Sequence, residues 1–538
     1  MKIEKFYFII LFLFLLVINL NNLNLPYHWD DFNYVIPAVD HIYKDSPTIF
    51  LWEYGQGHPP FLFILGGLIF KLFGDSLVVA HLISLIFAFI TLLFTYYLGK
   101  ELFSRKVGVI SSLILLFTPI FISYSTLFYL EVPLMTFSVM AIYFALKNKN
   151  YLSIIFGSLA VLTKETGIII AFSIFFVKLL KEKNFKSLLY LIPVFVFLLW
   201  LLTNKLYYGY FMYPISTSLI YLYPIKNLIN GIAELKNLFF DQFRWILTSI
   251  IILSLINKNS FKKNKYYFTF CFIVSLIAFI SIFFLKSLNL NTYYPNINDY
   301  FDLLQKFSFL FAVLFFLLLV NIKEFFNTYA KKELYWICIP LIFMIGAHFL
   351  IIPFSPRYVL PIYPLLFLLF GFSINKVFKK YSYIFVLIFI ILSVSVFTGD
   401  RSLVGFALED NLESRDFIKV RQLGASYLEN NFPNAAILTS FPLSSDLSYP
   451  YGKYVKKSLN LLTIEPHPGI IYKNYTQYIN PETVHKKEIN LSQIDIYYYS
   501  PQQFPNKKTQ DIADKLNLTL IKKFEVNNKT TEIYLVNK

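Results

Sequence analysis

Two adjacent carboxylates, Asp30 and Asp31, follow the first apolar segment of the chain in His28-Trp29-Asp30-Asp31-Phe32-Asn33-Tyr34. A turn-rich stretch later comes Gly57-His58-Pro59-Pro60. Acidic side chains are costly near a bilayer and are rare there without a function. A carboxylate drawn out of water and left unpaired binds a proton more firmly, which suits a general base. Neighbours in sequence point different ways, so one can take a proton while the other orients a partner or holds a cation. The plainer alternative is an Asp capping a helix that starts near Phe32.

Further on, the same kinds of side chain recur at the ends of apolar runs. Glu131, in Tyr129-Leu130-Glu131-Val132-Pro133, reads as a second acid or as a helix-start residue favoured by the dipole. Lys164 and Glu165 share the polar tip Thr163-Lys164-Glu165-Thr166, where they can pair or where Lys164 can neutralise a phosphate leaving group. Arg357, in Ser355-Pro356-Arg357-Tyr358, can hold two phosphate oxygens at once. Its alternative role is an anchor at the interface, with Tyr358 in the aromatic belt. His58 can donate to a phosphate, ligate a metal or simply structure its loop. A lone histidine does not make a metal site, so the residues demand no cofactor and leave a divalent cation open.

The elements that must position these groups are membrane spans. Of 538 residues, 57% are hydrophobic and only 15% charged, and mean hydropathy is +0.58. Apolar runs at 6–20, 76–99, 107–123, 128–146, 151–163, 166–180, 187–203, 242–257, 266–285, 303–320, 334–352, 358–375 and 382–398 predict about thirteen crossings of a hydrocarbon layer roughly 30 Å thick. Lys2 and Lys5 before the first run would also suit a signal peptide, but no small-residue cleavage site follows, so it reads as an uncleaved span. The short runs 151–163 and 166–180 read as a tight hairpin whose polar tip lies in a protein-lined cavity.

Segment 59–73 opens with Pro59-Pro60, contains Gly66-Gly67, and reads as a helix lying in the interface. Counted that way, the loops carrying Lys100/Arg105/Lys106, Lys147/Lys149, Lys178–Lys186, Lys258–Lys265, Lys323–Lys332 and Lys376–Lys380 all fall on one side, which the loop-charge rule makes cytoplasmic. Asp30, Asp31, His58, Glu131, Lys164, Glu165, Arg357 and the tail then share the external face. The net charge of +16 is explained by this topology, and no basic helix or aromatic-interleaved patch points to nucleic acid. Cys271 and Cys338 both lie in apolar runs and imply neither a disulfide framework nor a metal cluster.

From about residue 399 the composition turns polar. An amphipathic helical pattern, Phe417–Glu429, and strand-like runs, Ala435–Leu438 and Thr531–Val536, predict a small external α/β domain over 399–538. Four Asn-x-Ser/Thr sequons, at Asn474, Asn490, Asn517 and Asn528, occur there and nowhere else, in keeping with an outward-facing tail.

At these residues the chain resembles the C-type (GT-C) membrane glycosyltransferases, in the group of dolichyl-phosphate-mannose protein mannosyltransferases and lipid A aminoarabinose transferases. The resemblance rests on Asp30-Asp31, Gly57–Pro60, Lys100-Glu101-Leu102-Phe103, Glu131, Leu162–Glu165 and Arg357–Pro364. It covers residues 1–200 and a short motif in 334–375. It implies an all-α transmembrane domain over 1–398, with first external loop 21–75, that moves a sugar from a polyprenyl-phosphate donor to a lipid, glycan or protein acceptor, with inversion. Asp30, Asp31 and Glu131 would then be the catalytic acids, while Lys164, Arg357, Tyr358 and His58 would hold the donor phosphate. Glu131 stands where Asp is common, and Asp31 where the protein mannosyltransferases have Glu.

No nucleotide fingerprint is present, and a lipid-phosphate sugar, already activated, needs none. A transporter or flippase would instead place charges at mid-span in two repeated halves, and no internal repeat is visible. A noncatalytic scaffold presenting the tail would leave the acidic pair dispensable. Lys-, Asn-, Ile- and Phe-rich usage points to a low-GC prokaryote and hence to a multi-pass plasma-membrane protein with a cytoplasmic N-terminus, surrounded by membrane lipids.

Overall fold

The computed structural model describes residues 2–214, 224–255, 334–350, 355–397, 410–462, 491–501 and 507–537, with positions 269 and 273. Apart from those two positions, the expected spans 266–285 and 303–320, Cys271, Asn474 and Asn490 lie outside the described residues.

Helix α1 (Lys2–Asn19) runs antiparallel to α4 (Leu77–Leu102). At one end Tyr96 and Lys100 donate to Glu4 (2.7 and 2.8 Å), and at the other His81 Nδ1 lies 3.1 Å from the Leu23 carbonyl. The 26 residues of α4 span about 39 Å, enough for a whole bilayer core. Between them, α2 (Ile36–Lys44) packs on α3 (Phe61–Phe73), the helix expected in the interface. Gly66 and Gly67 make that contact possible: a Cβ at Gly67 would stand 2.4 Å from the Ile42 side chain.

The apolar run 107–123 is not one helix. α5 (Arg105–Leu116) stops, and Pro119, with no N–H to donate and a ring that would clash, starts a separate short helix to Tyr124. Next come α6 (Glu131–Leu146), then α7 (Asn150–Thr163) and α8 (Gly167–Glu182), which form the expected hairpin about the Lys164–Thr166 tip. α9 (Ile192–Tyr208), α10 (Pro224–Phe239), α11 (Arg244–Leu255) and α12 (Tyr335–Leu350) follow. α13 (Tyr363–Phe378) and α14 (Ser382–Val394) close the membrane body.

Four described stretches are long and apolar enough to cross by length and composition: Glu4–Asn22, Leu77–Leu102, Phe185–Tyr208 and Pro356–Val394. These four are fewer than the thirteen expected crossings, of which two lie outside the described residues. Helices such as α7, at 14 residues, reach only about 21 Å. Pro356–Val394 turns back on itself at Lys379 (φ 46). Lys379 O accepts from Lys106 Nζ, whereas Phe397 O, past α14, accepts from Leu412 N (2.8 Å) at the start of the tail domain.

The tail folds as expected into helix α15 (Glu413–Asn431) on a five-stranded sheet. Its order is β2-β1-β3-β5-β4, with β1 (Ile437–Leu438) parallel to β2 (Leu461–Leu462) and to β3 (Ile496–Tyr499). β5 (Lys529–Val536) runs antiparallel to both β3 and β4 (Leu518–Val526). Asn517 and Asn528 are exposed on this domain. Its buried residues, among them Ile418, Leu428 and Ile496, join Leu25, Tyr27 and Phe32 of the membrane body in one apolar core.

Candidate active site

The loop after α1 delivers Asp30 under constraint. Trp29 sits at φ 46, a left-handed conformation that a bulky side chain adopts only when its surroundings impose it. Ring contacts to His28 (5.5 Å) and Phe441 (5.6 Å) hold it there. The backbone then winds through a one-turn π-helix, Asp31–Val35, into α2. The two aspartates part company at this turn. Asp31 is 0% exposed, and its Oδ1 accepts the His28 N–H, so it braces the turn. Asp30 is 18% exposed and faces the membrane body.

Asp30 Oδ2 accepts from Tyr34 Oη (2.8 Å) and pairs with Arg357 Nη2 (2.7 Å). Tyr129 Oη accepts the Asp30 N–H (3.3 Å) and donates to the His28 carbonyl (3.0 Å). Arg357 arrives on the 3-10 segment Pro356–Ile362, which packs against α6 and brings Arg357 Nε within 3.7 Å of Glu131 Oε1. Glu131 is fully buried at the start of α6. Lys164 Nζ, from the hairpin tip, donates to the same Oε1 (2.6 Å) and lies 4.3 Å from the Tyr358 ring. His58 Nδ1 sits 2.9 Å from Glu165 Oε1, and its ring is 5.1 Å from that of Tyr34.

Asp30, His58, Glu131, Lys164, Arg357 and Tyr358 thus join one chain of contacts drawn from five separate segments. Two positions differ from expectation. Asp31 lies off this chain, beneath the tail domain. Lys164, 8% exposed against 16% for Arg357, is the more deeply buried of the two cations and is paired with Glu131. Among the described residues, no group of three or more His, Cys, Asp or Glu side chains is placed to hold a metal ion.

Several contributors were not singled out in the sequence. Tyr34 stands four residues after Asp30, a spacing that puts both on one helical face. Glu234 on α10 accepts the Ser355 N–H (3.0 Å), and Asn237 donates to the Pro356 carbonyl (3.3 Å). Together they fix the backbone that carries Arg357; nothing local in the sequence of α10 announces this. From the tail domain, Arg421 binds Asp446 through Nε (2.6 Å) and Nη2, and Nη1 donates to His28 Nδ1 (3.2 Å). Burial pushes the Asp446 carboxyl up, against the pull of the Arg421 guanidinium. Phe32 packs beside Tyr451 (5.2 Å), and a Cβ at Gly452 would stand 2.1 Å from the Phe32 ring. Gly452 O accepts the Tyr27 N–H (3.2 Å).

Burial, together with the Arg421 charge, holds the His28 imidazole well below its usual value of 6.5. Its neighbours here are Arg421, Asp31, Trp29 and Phe417, and the ring is neutral. An unfolded His28 takes up a proton below about pH 6.5 and the folded one does not, so its contribution to stability is complete above that pH and lost below it. In thermal unfolding at stepped pH, the wild type is expected to lose up to about 1.4 kcal/mol more than His28→Gln over the first unit below that point. Parallel curves for the two proteins would refute a neutral, buried His28.

These features define an integral membrane protein that resembles the GT-C glycosyltransferases. Residues 57–208 match the family model of dolichyl-phosphate-mannose-protein mannosyltransferase. The crystal structure of ArnT from Cupriavidus metallidurans bound to undecaprenyl phosphate has the same fold, at a TM-score of 0.50 and 12% identity, over 98% of this chain and 97% of that one. The oligosaccharyltransferase AglB from Archaeoglobus fulgidus, in complex with an inhibitory peptide and a dolichol-phosphate, aligns over 85% of this chain and 65% of that one, at a TM-score of 0.38 and 15% identity. Comparison with curated proteins gave no match.

Proposed function

We propose that this protein transfers a sugar from a polyprenyl-phosphate carrier to an acceptor hydroxyl, with inversion, at the external face of the membrane. The observation that carries the reading is the Asp30–Arg357 pair, a carboxylate and a guanidinium 2.7 Å apart at the rim of a buried charge cluster. In-line displacement needs a base for the acceptor proton and a cation for the departing phosphate within one sugar's width.

In this reading the acceptor oxygen attacks the anomeric carbon as the bond to the lipid phosphate breaks. Asp30, aimed by Tyr34 and the Tyr129 hydroxyl, takes the acceptor proton. Arg357 holds the phosphate, its planar fork presenting several donors at once. Lys164 neutralises Glu131 from behind, so the Arg357 charge stays available to the leaving group. His58, fixed by Glu165, packs against the Tyr34 ring beside Asp30. The ends of α4, α6, α8 and α13 remote from Asp30 carry Lys100, Lys147, Lys178 and Lys379, which supports an external site and an external tail.

The test is a full-length protein reconstituted in liposomes with a panel of polyprenyl-phosphate sugars and crude acceptor membranes. One donor is expected to be consumed, with stoichiometric release of polyprenyl phosphate. A donor that is bound and moved intact to the opposite leaflet would identify a flippase instead.

A further inference from the structure

A cavity of about 440 Å³ opens at the opposite end of the helices from Asp30. Its walls are Tyr7 of α1, Tyr96 of α4, Arg105 and Lys106 of α5, and Tyr383 of α14, with Glu4 at the edge. Glu4 is already satisfied by Tyr96 (2.7 Å) and Lys100 (2.8 Å), with Arg105 Nε 4.0 Å away. Among the described residues, Lys100, Arg105 and Lys106 stand here against the Glu4 carboxylate, which gives the cavity a net positive charge. Lys106 Nζ stands 5.3 Å from the Tyr383 ring. α5 begins at Arg105, so the positive end of its dipole points to the same place.

An apolar track leads away from this charged end on each side. On α14, Leu387, Ile391 and Val394 follow Tyr383 at helical spacing and are exposed. On α1, Ile10 (half-buried), then Phe14 and Val17 (both exposed), follow Tyr7 in the same way. A charged pocket continued by apolar ridges along the membrane-spanning direction has the outline of a lipid, with its head in the cavity and its chains along the helices. Basic pockets between membrane helices are the usual hosts of anionic headgroups. A soluble anion would use the pocket and leave the ridges unexplained.

We propose that this cavity binds the phosphate headgroup of an anionic membrane lipid, with Arg105 and Lys106 on the phosphate and the chains along α1 and α14. The site is distinct from the Asp30–Arg357 cleft and stands whether or not the transferase reading holds.

The experiment measures lipid binding to the full-length protein in neutral detergent by native mass spectrometry. The probes are phosphatidylglycerol, phosphatidylcholine, a polyprenyl phosphate and inorganic phosphate. Phosphatidylglycerol is expected to bind at least tenfold more tightly than phosphatidylcholine. Arg105→Gln/Lys106→Gln is expected to weaken it roughly thirtyfold, at about a factor of five for each cation removed. If polyprenyl phosphate loses affinity in parallel, the pocket reads the phosphate and not the glycerol. Equal binding of the two phospholipids would overturn the proposal. So would undiminished binding to the variant, or inorganic phosphate binding as tightly as the lipid. Should the double variant not purify as a folded protein, Lys106→Gln alone is read against the same panel, with about a fivefold loss expected.

Discussion

Asp30→Asn is expected to lower turnover at least a hundredfold, and up to about ten-thousandfold, while leaving donor affinity within about threefold. The amide matches the carboxylate in size, can still accept from Tyr34, and takes up no proton. Arg357 then loses its closest counter-charge, so its hold on the donor phosphate is retained or strengthened. The signature is a fall in kcat without a rise in KM, measured by donor consumption in liposomes. Full activity in this variant would remove Asp30 as the base and pass the role to Glu131, the other acid in contact with Arg357 (3.7 Å). Asp31→Asn separates the neighbours: because Asp31 is buried and braces the turn at His28, its loss is expected in stability before it is seen in turnover.

The second large effect belongs to the tail domain. Arg421→Ala leaves Asp446 buried without a partner and removes the donor to His28, and stability is expected to fall by about 3–5 kcal/mol. Replacing both members by apolar residues of similar size, Arg421→Met with Asp446→Leu, is expected to recover most of that loss, because no orphaned charge remains. Thermal unfolding of the purified protein gives the first number. Turnover gives the second: the double variant still lacks the Arg421–His28 bond, so it should fold yet work more slowly. Wild-type turnover in a stable double variant would show that the domain merely covers the loop.

How much of this was legible beforehand depends on range. Asp30, Glu131, Lys164 and Arg357 betray themselves because a charge at the end of an apolar run is conspicuous, and loop lysines sort the ends into two faces. The tail's α/β character also showed, through the alternation of Thr531–Val536 and the helical period of Phe417–Glu429. The separation of Asp30 from Asp31 did not, because it turns on the Trp29 conformation and the Asp31–Val35 turn, which tertiary packing imposes. The Glu131 partner of Lys164 was equally hidden, since a position at a hairpin tip does not say which distant residue it meets. Glu234 and Arg421 act through partners 121 and 393 residues away, beyond any local pattern. The breaks within the apolar runs were also hidden: Pro119 divides one run into two helices, and α7 ends at a polar tip after 14 residues.

The shared core of tail and membrane body bears on how the protein is made. Asp30 leaves the ribosome among the first residues, while Arg421, which steadies its loop through His28, follows 393 residues after that histidine. At roughly 5–20 residues per second, the nascent chain waits on the order of 20–80 s between the two. Throughout that interval the loop lacks the Arg421 contact to His28 and rests on Tyr34, Tyr129 and, once made, Arg357. A stop codon before residue 421 is therefore expected to leave the membrane body with an Asp30 loop that lacks this brace.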